Sequence, residues 1–227
     1  MKTVLNTMRL LVLTGLTIWL TACTKDGDPV PLTIFSVQDD IALGKQIDQE
    51  IMGKPGEYPV LDSAAHKAAY EHLYRVRNTL LASGKLTYAN AFQWKCRIIK
   101  NDSVINAFCV PGGNLYFYTG LIRFLDNEAQ FAGIMAHEMA HADRRHTSQQ
   151  MTVQYGEALL LSLILGSNPS QLTQIIADLA LGLGNLAYSR EHEYSADSYA
   201  VKYLYVTEYD AARSEEHTSE LQSPNTI

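Results

Sequence analysis

The sequence predicts an α+β fold, mostly helical, with one small antiparallel three-stranded sheet. Apolar residues recur at helical spacing on both sides of residues 92–118, and inside that stretch three short β-rich runs are separated by turn chemistry. Composition adds a single sizeable core: 227 residues, 47% hydrophobic and 19% charged, exclude a disordered or fibrous chain. Lys+Arg of 18 against Asp+Glu of 24 gives a net charge of -6 with no basic block, which argues against nucleic acid as a partner.

The first element is a leader. Lys2 and Arg9 precede an apolar run from Leu10 to Leu20, and Leu20-Thr21-Ala22-Cys23 resembles a bacterial lipobox. Residues 1–22 are therefore expected to be a lipoprotein signal peptide, with Cys23 the lipidated mature N-terminus. Thr24 stands where an Asp would resemble an inner-membrane retention signal, so the expected location is the outer membrane, facing the periplasm. Residues 23–38, polar and Pro-containing, read as a tether.

Residues 39–212 read as the domain. Asp39 to Met52 carries Ile41, Ile47 and Ile51 near helical spacing; Ser63 to Ala82 does so with Ala69, Leu73, Val76 and Leu80, after an Asp62 able to cap it. Phe92 to Ile99, Val104 to Val110 and Leu115 to Tyr118 are the strand candidates, joined through Asn101-Asp102-Ser103 and Pro111-Gly112-Gly113-Asn114. Read as an antiparallel meander, they bring Cys96 opposite Cys109, and an oxidising compartment would allow a disulfide there; a slip of one residue would point the two apart. Helical periodicity returns from Asn127 to about Tyr209.

After Ala212 the pattern fails. Arg213 to Ser223, RSEEHTSELQS, back-translates without mismatch to a sequence resembling a common sequencing adapter. Residues 213–227 are read as an artefact fused in frame, and the domain as C-terminally truncated.

The chemistry lies at His137-Glu138-Met139-Ala140-His141. Four residues along an α-helix is one turn, so both imidazoles project from one face and can ligate one Zn²⁺, while the Glu138 carboxylate can reach a water as general base. A third ligand is needed. His146, five residues past His141, falls off the ligand face of a continuous helix, and Arg144 and Thr147 occupy the positions where a metzincin needs Gly and His. Glu193 and Asp197 share a face of the helical stretch Leu186 to Tyr205. If that stretch packs antiparallel to the first, Glu193 completes a His₂Glu site and Asp197 can hydrogen-bond a ligand histidine.

Other features have plain readings. Gly182 to Ala187 matches a dinucleotide fingerprint but follows no strand, and Glu157 to Gly166 is too short to span a bilayer and reads as a buried helix. His66, His72 and His192 read as solvated surface, and Arg144 and Arg145 as salt-bridge partners or a polar helix end. Neither Arg190 nor Tyr194 is assignable as an oxyanion donor from sequence.

Ala136 to His146 (AHEMAHADRRH), Ser189 to Asp197 (SREHEYSAD) and Asn106 to Leu121 (NAFCVPGGNLYFYTGL) together resemble the zinc peptidase family of the CAAX prenyl proteases, HtpX-like peptidases and bacterial periplasmic lipoprotein peptidases. The resemblance implies a zincin-like, gluzincin-type domain with one zinc on His137, His141 and Glu193, Glu138 as the catalytic base and Asp197 behind a ligand. It further implies an endopeptidase acting on misfolded or misassembled envelope proteins, anchored in the membrane by the N-terminal lipid, with outer-membrane assembly machinery as a partner. The rival expectation is a non-catalytic, chaperone-like or scaffolding lipoprotein in outer-membrane protein assembly.

Overall fold

The computed structural model describes residues 33–156, 174–175 and 188–209. The leader, Cys23, the Gly182 fingerprint, the 157–166 run and the residues after Ala212 lie outside the described residues.

Helix α1 spans Val37–Met52 and opens on a reciprocal capping box: the Ser36 side chain accepts from the Asp39 N–H, and the Asp39 carboxylate accepts from the Ser36 N–H. Helix α2 spans Lys67–Ala82 and buries Tyr70, Leu73, Val76 and Leu80, the stripe set by its periodicity. It starts four residues later than expected, because Asp62 accepts from the Ala64 and Ala65 N–H groups and closes a separate turn first.

Strands β1 (Cys96–Ile99), β2 (Ala107–Val110) and β3 (Asn114–Tyr118) lie in the order β1-β3-β2, with β1 parallel and β2 antiparallel to β3. The sheet is therefore mixed, and the expected antiparallel meander is corrected. Two local features explain the difference. Trp94 takes a positive φ of 49° and delays β1 until Cys96. After β1 the chain does not turn back on itself: the Asn101 N–H donates to Thr119 Oγ1 and its carbonyl accepts from the Gly120 N–H, so it crosses the end of β3 before β2 begins. Only β2 and β3 form a hairpin, through Pro111 to Gly113. Gly112 and Gly113 there have φ of 77° and 85°, and a Cβ on Gly113 would sit 2.9 Å from Phe92 Cβ.

The expected disulfide is corrected for the same reason. Cys96 and Cys109 both pair with Leu115 from opposite sides. Two inter-strand spacings separate them by about 9.6 Å, beyond the ~7 Å Cα separation a bridge tolerates. Both are free, buried thiols, and burial pushes that of Cys96 up to about 12.

Alternation then divides the core. Cys96, Ile98, Ala107, Cys109, Leu115 and Phe117 face a cluster shared with α2, with α4 (Glu128–Asp143) and with α6 (Arg190–Leu204). Ile99, Phe108, Val110, Tyr116 and Tyr118 face α1 through Leu43, Ile47 and Ile51. Two shorter helices, α3 (Thr119–Phe124) and α5 (His146–Tyr155), complete the described elements. The outer edge of β1 is covered: the Leu61 N–H donates to the Ile98 carbonyl and the Lys100 N–H to the Pro59 carbonyl.

On the α1 side, Asp48 is a buried hub. It accepts Arg97 Nε at 2.6 Å, Arg97 Nη2 at 2.8 Å, Tyr116 Oη at 2.7 Å and Lys95 Nζ at 3.3 Å. Burial alone would raise its carboxyl; Arg97 and Tyr116 overcome that and hold it below 3.8. Asp48→Asn leaves the half-buried Arg97 without its partner charge, and the expected loss is about 1–3 kcal/mol, read as a lower urea midpoint at neutral pH. The carboxyl is depressed in the folded state, so its contribution is complete above the ordinary aspartate value and lost as pH falls through the folded one. The gap between wild type and variant is therefore constant from about pH 5 to 8 and narrows below about pH 4. A gap indifferent to acid would remove Asp48 as its source.

Candidate metal centre

Helix α4 starts at Asn127, whose side chain accepts from the Gln130 N–H, and is buried over nearly its whole length. Helix α6 starts at Ser189, which accepts from the His192 N–H. Their pairings run in opposite senses: Glu128 bonds Tyr209, His137 meets Asp197, and His141 meets Glu193. The helices are antiparallel, as the two spacings required. Small residues at 132, 136 and 140 of α4 and at 196 and 200 of α6 lie fully inside the shared core.

This packing brings His137, His141 and Glu193 together, with one ligand atom from each within 4.8 Å of the others. The two Nε2 atoms are 3.0 Å apart, and Glu193 Oε2 lies 3.4 Å from that of His137 and 3.7 Å from that of His141. Ligands about 2.0–2.1 Å from a tetrahedral zinc stand roughly 3.3 Å from one another. The donor set also fits: Glu193 Oε2 is buried without a hydrogen-bond partner, so it faces the space between the imidazoles with nothing else to neutralise it. Asp197 Oδ1 is 2.8 Å from His137 Nδ1, which leaves Nε2 of that ring as the lone pair directed at Glu193 and His141.

The titration pattern has the same origin. Burial would lower His137, but the Asp197 and Glu193 carboxylates raise it to about 9. Burial, partly offset by Glu193, takes His141 down to about 4. Against burial, the two imidazoles hold Glu193 far below the usual carboxylate range. Glu138 is partly exposed, and burial of its carboxyl, reinforced by Glu193 and opposed by His137, pushes it up to about 7. Cys109 of β2 lies close enough to this carboxylate to oppose its rise slightly, so the sheet runs beside it.

The structure adds residues that the sequence reading placed elsewhere. His146 is 1% exposed, with Nδ1 2.9 Å from His141 Nδ1, so its reading as turned off the ligand face is corrected. The helix is not continuous. α4 ends at Asp143, and Arg145 takes a left-handed φ of 62° and ψ of 33°, which swings His146 back toward His141. That conformation costs a non-glycine residue about 1–2 kcal/mol. Arg145 is held in it as Nε donates to Asp40 Oδ2 and Nη2 to the Phe35 carbonyl, each at 2.5 Å. An arginine at a position that favours glycine carries no sequence signal for the break.

His192 is likewise not simply solvated: its ring stacks on His146 at 4.6 Å and Nε2 lies 3.0 Å from Gln149 Oε1. Tyr188 stacks on His141 at 4.0 Å and its hydroxyl shares a 2.8 Å hydrogen bond with Thr147. His72 and Arg145 keep their expected characters, the first exposed beside Glu128 and the second in an ion pair.

The model of Peptidase family M48 matches residues 68–223. The chain is 27% identical over 129 residues to the mitochondrial metalloendopeptidase OMA1 of Arabidopsis thaliana, covering 57% of this chain and 26% of that protein. It is 31% identical over 122 residues to the beta-barrel assembly-enhancing protease of Escherichia coli (strain K12), covering 50% and 25%. With the OMA1 of Saccharomyces cerevisiae the identity is 26% over 177 residues, covering 74% and 47%. The chain thus spans about a quarter of the first two relatives and about half of the third.

The convergence of three ligand atoms predicts one divalent transition-metal ion per chain after dialysis, counted by elemental analysis. His141→Ala is expected to abolish it, and Asp197→Ala to weaken it about 10- to 100-fold. Full retention in both variants would place the ion elsewhere.

Proposed function

From the premise that this chain belongs to peptidase family M48, we propose that it is a zinc-dependent endopeptidase whose water is activated by Glu138. The observation that carries the reading is the meeting of α4 and α6: His137, His141 and Glu193 offer three converging ligand atoms, with Glu138 between the two histidines of the same turn.

His137, His141 and Glu193 would hold the metal, and Asp197 would fix the tautomer of His137. Zinc, when bound, supplies Lewis acidity, polarising a scissile carbonyl and bringing the pKa of a water toward about 7. Glu138, whose carboxyl burial raises in the metal-free site, is placed to take a proton from that water. The water oxygen bonds to the carbonyl carbon, the C–N bond breaks, and Glu138 returns its proton to the leaving nitrogen. No covalent enzyme intermediate is needed.

Substrate capture is assigned to the sheet. Among the described residues β2 has a strand on one side only, and Cys109 within it contacts Glu138. An extended segment adding along β2 would lie beside the base and be held by main-chain bonds, which tolerates many sequences. Unfolded or misassembled envelope proteins are the matching substrate class, and the relative named for β-barrel assembly supports it. Attachment to the outer membrane through lipid on Cys23, facing the periplasm and near the assembly machinery, belongs to the same proposal. No described helix is long and apolar enough to cross a membrane.

In the full-length protein, Glu138→Gln is expected to keep its zinc and lose cleavage of an unfolded protein by about 10²- to 10⁴-fold, followed by gel and elemental analysis. An unchanged cellular phenotype in that variant would favour the non-catalytic, chaperone-like alternative. Peptide libraries are expected to show broad cleavage with weak side-chain preference; one strict consensus would remove strand addition on β2.

A further inference from the structure

We propose that His146 is a positioning residue for the metal ligand His141, accepting its Nδ1–H, and that the left-handed Arg145 is the device that places it. The inference rests on the metal centre proposed above.

His141 turns Nε2 toward His137 and Glu193, at 3.0 and 3.7 Å. A neutral imidazole with its Nε2 lone pair so directed carries its proton on Nδ1. The atom 2.9 Å from that proton's nitrogen is His146 Nδ1, which must accept and carries its own proton on Nε2. Ligand histidines ordinarily give this proton to a carboxylate or carbonyl, which fixes the ring and raises its basicity. Here an imidazole does so, 1% exposed and backed by the stacked His192 ring.

Five residues along an unbroken helix turn a side chain about 140° away, so the contact exists only because the helix stops. The stop is built from α1. Asp40 is 1% exposed, takes Arg145 Nε on one oxygen and accepts the Ser148 hydroxyl on the other at 2.6 Å, and Arg145 also reaches the Phe35 carbonyl. Arg145 at the break and Ser148 in the first turn after it are thereby tied to α1, and His146, between them at the start of α5, inherits its place from them.

The test compares zinc affinities of full-length variants by chelator competition, with the Co²⁺ d–d spectrum as a second readout. His146→Leu is expected to bind zinc about 10- to 100-fold more weakly with an altered spectrum, and His146→Asn, whose amide oxygen can stand in for Nδ1, to recover most of the loss. Arg145→Gly and Arg145→Ala both lose the ion pair, but only glycine adopts the left-handed turn without strain, so the glycine variant should bind more tightly. In zinc-loaded wild type, an ¹⁵N–¹⁵N coupling across the His141–His146 hydrogen bond is expected and needs no variant.

Wild-type affinity in folded His146→Leu, or an observable His141 Nδ1–H without that coupling, overturns the role of His146 while leaving the metal centre standing. Equal affinities for the two Arg145 variants overturn the backbone device. A wild type that binds no zinc brings down both the centre and this inference.

Discussion

Crowding carboxylates against buried imidazoles is the constraint on which the rest depends. Glu193, Asp197 and Glu138 crowd one end of an apolar helix pair, and His137 and His141 are the basic groups closest to them. Three carboxylates so close together repel one another, so the cluster draws in a positive charge. Without metal, the carboxylates favour a proton on His137; with metal, the cation would take its place where the lone pairs converge. Raised His137 and depressed Glu193 are two consequences of one electrostatic demand.

Such a cluster is stable only if its two helices cannot slide apart, and the fold fixes them at several points. Asp143, at the end of α4, accepts the Thr87 and Tyr88 N–H groups at 3.0 and 2.7 Å and the Tyr203 hydroxyl of α6 at 2.8 Å. The segment after α6 is tied to the start of α4 through Tyr209 and Glu128 at 3.0 Å. The sheet closes the remaining side, with Asp48 fastening α1 to β1 and β3. A ligand set of this kind tolerates little displacement, and polar contacts at both ends of the helix pair supply the needed rigidity.

Helical arithmetic makes the centre legible in the sequence alone. Both the His137/His141 and the Glu193/Asp197 spacings follow from 3.6 residues per turn, a property local to each helix. What the sequence hides depends on where a chain goes after its local signals end. The strand runs are visible in their composition, but β1 lies on the far side of β3 because Asn101 is held by Thr119 and Gly120, a contact that no turn propensity encodes. His146 is hidden for a related reason. Its phase holds only for a continuous helix, this helix breaks at an arginine, and the residue that stabilises the break, Asp40, lies 105 positions away.

The cover on β1 bears on association between molecules. A sheet open at both edges can pass strand pairing from one chain to the next without limit, the route to fibrils. With Pro59 and Leu61 bonded along the outside of β1, only the β2 edge lacks a strand neighbour among the described residues. A strand that docks on β2 therefore meets a chain terminator, not a template. Pairing through β2 would therefore stop at one added strand and could not be handed on across the sheet.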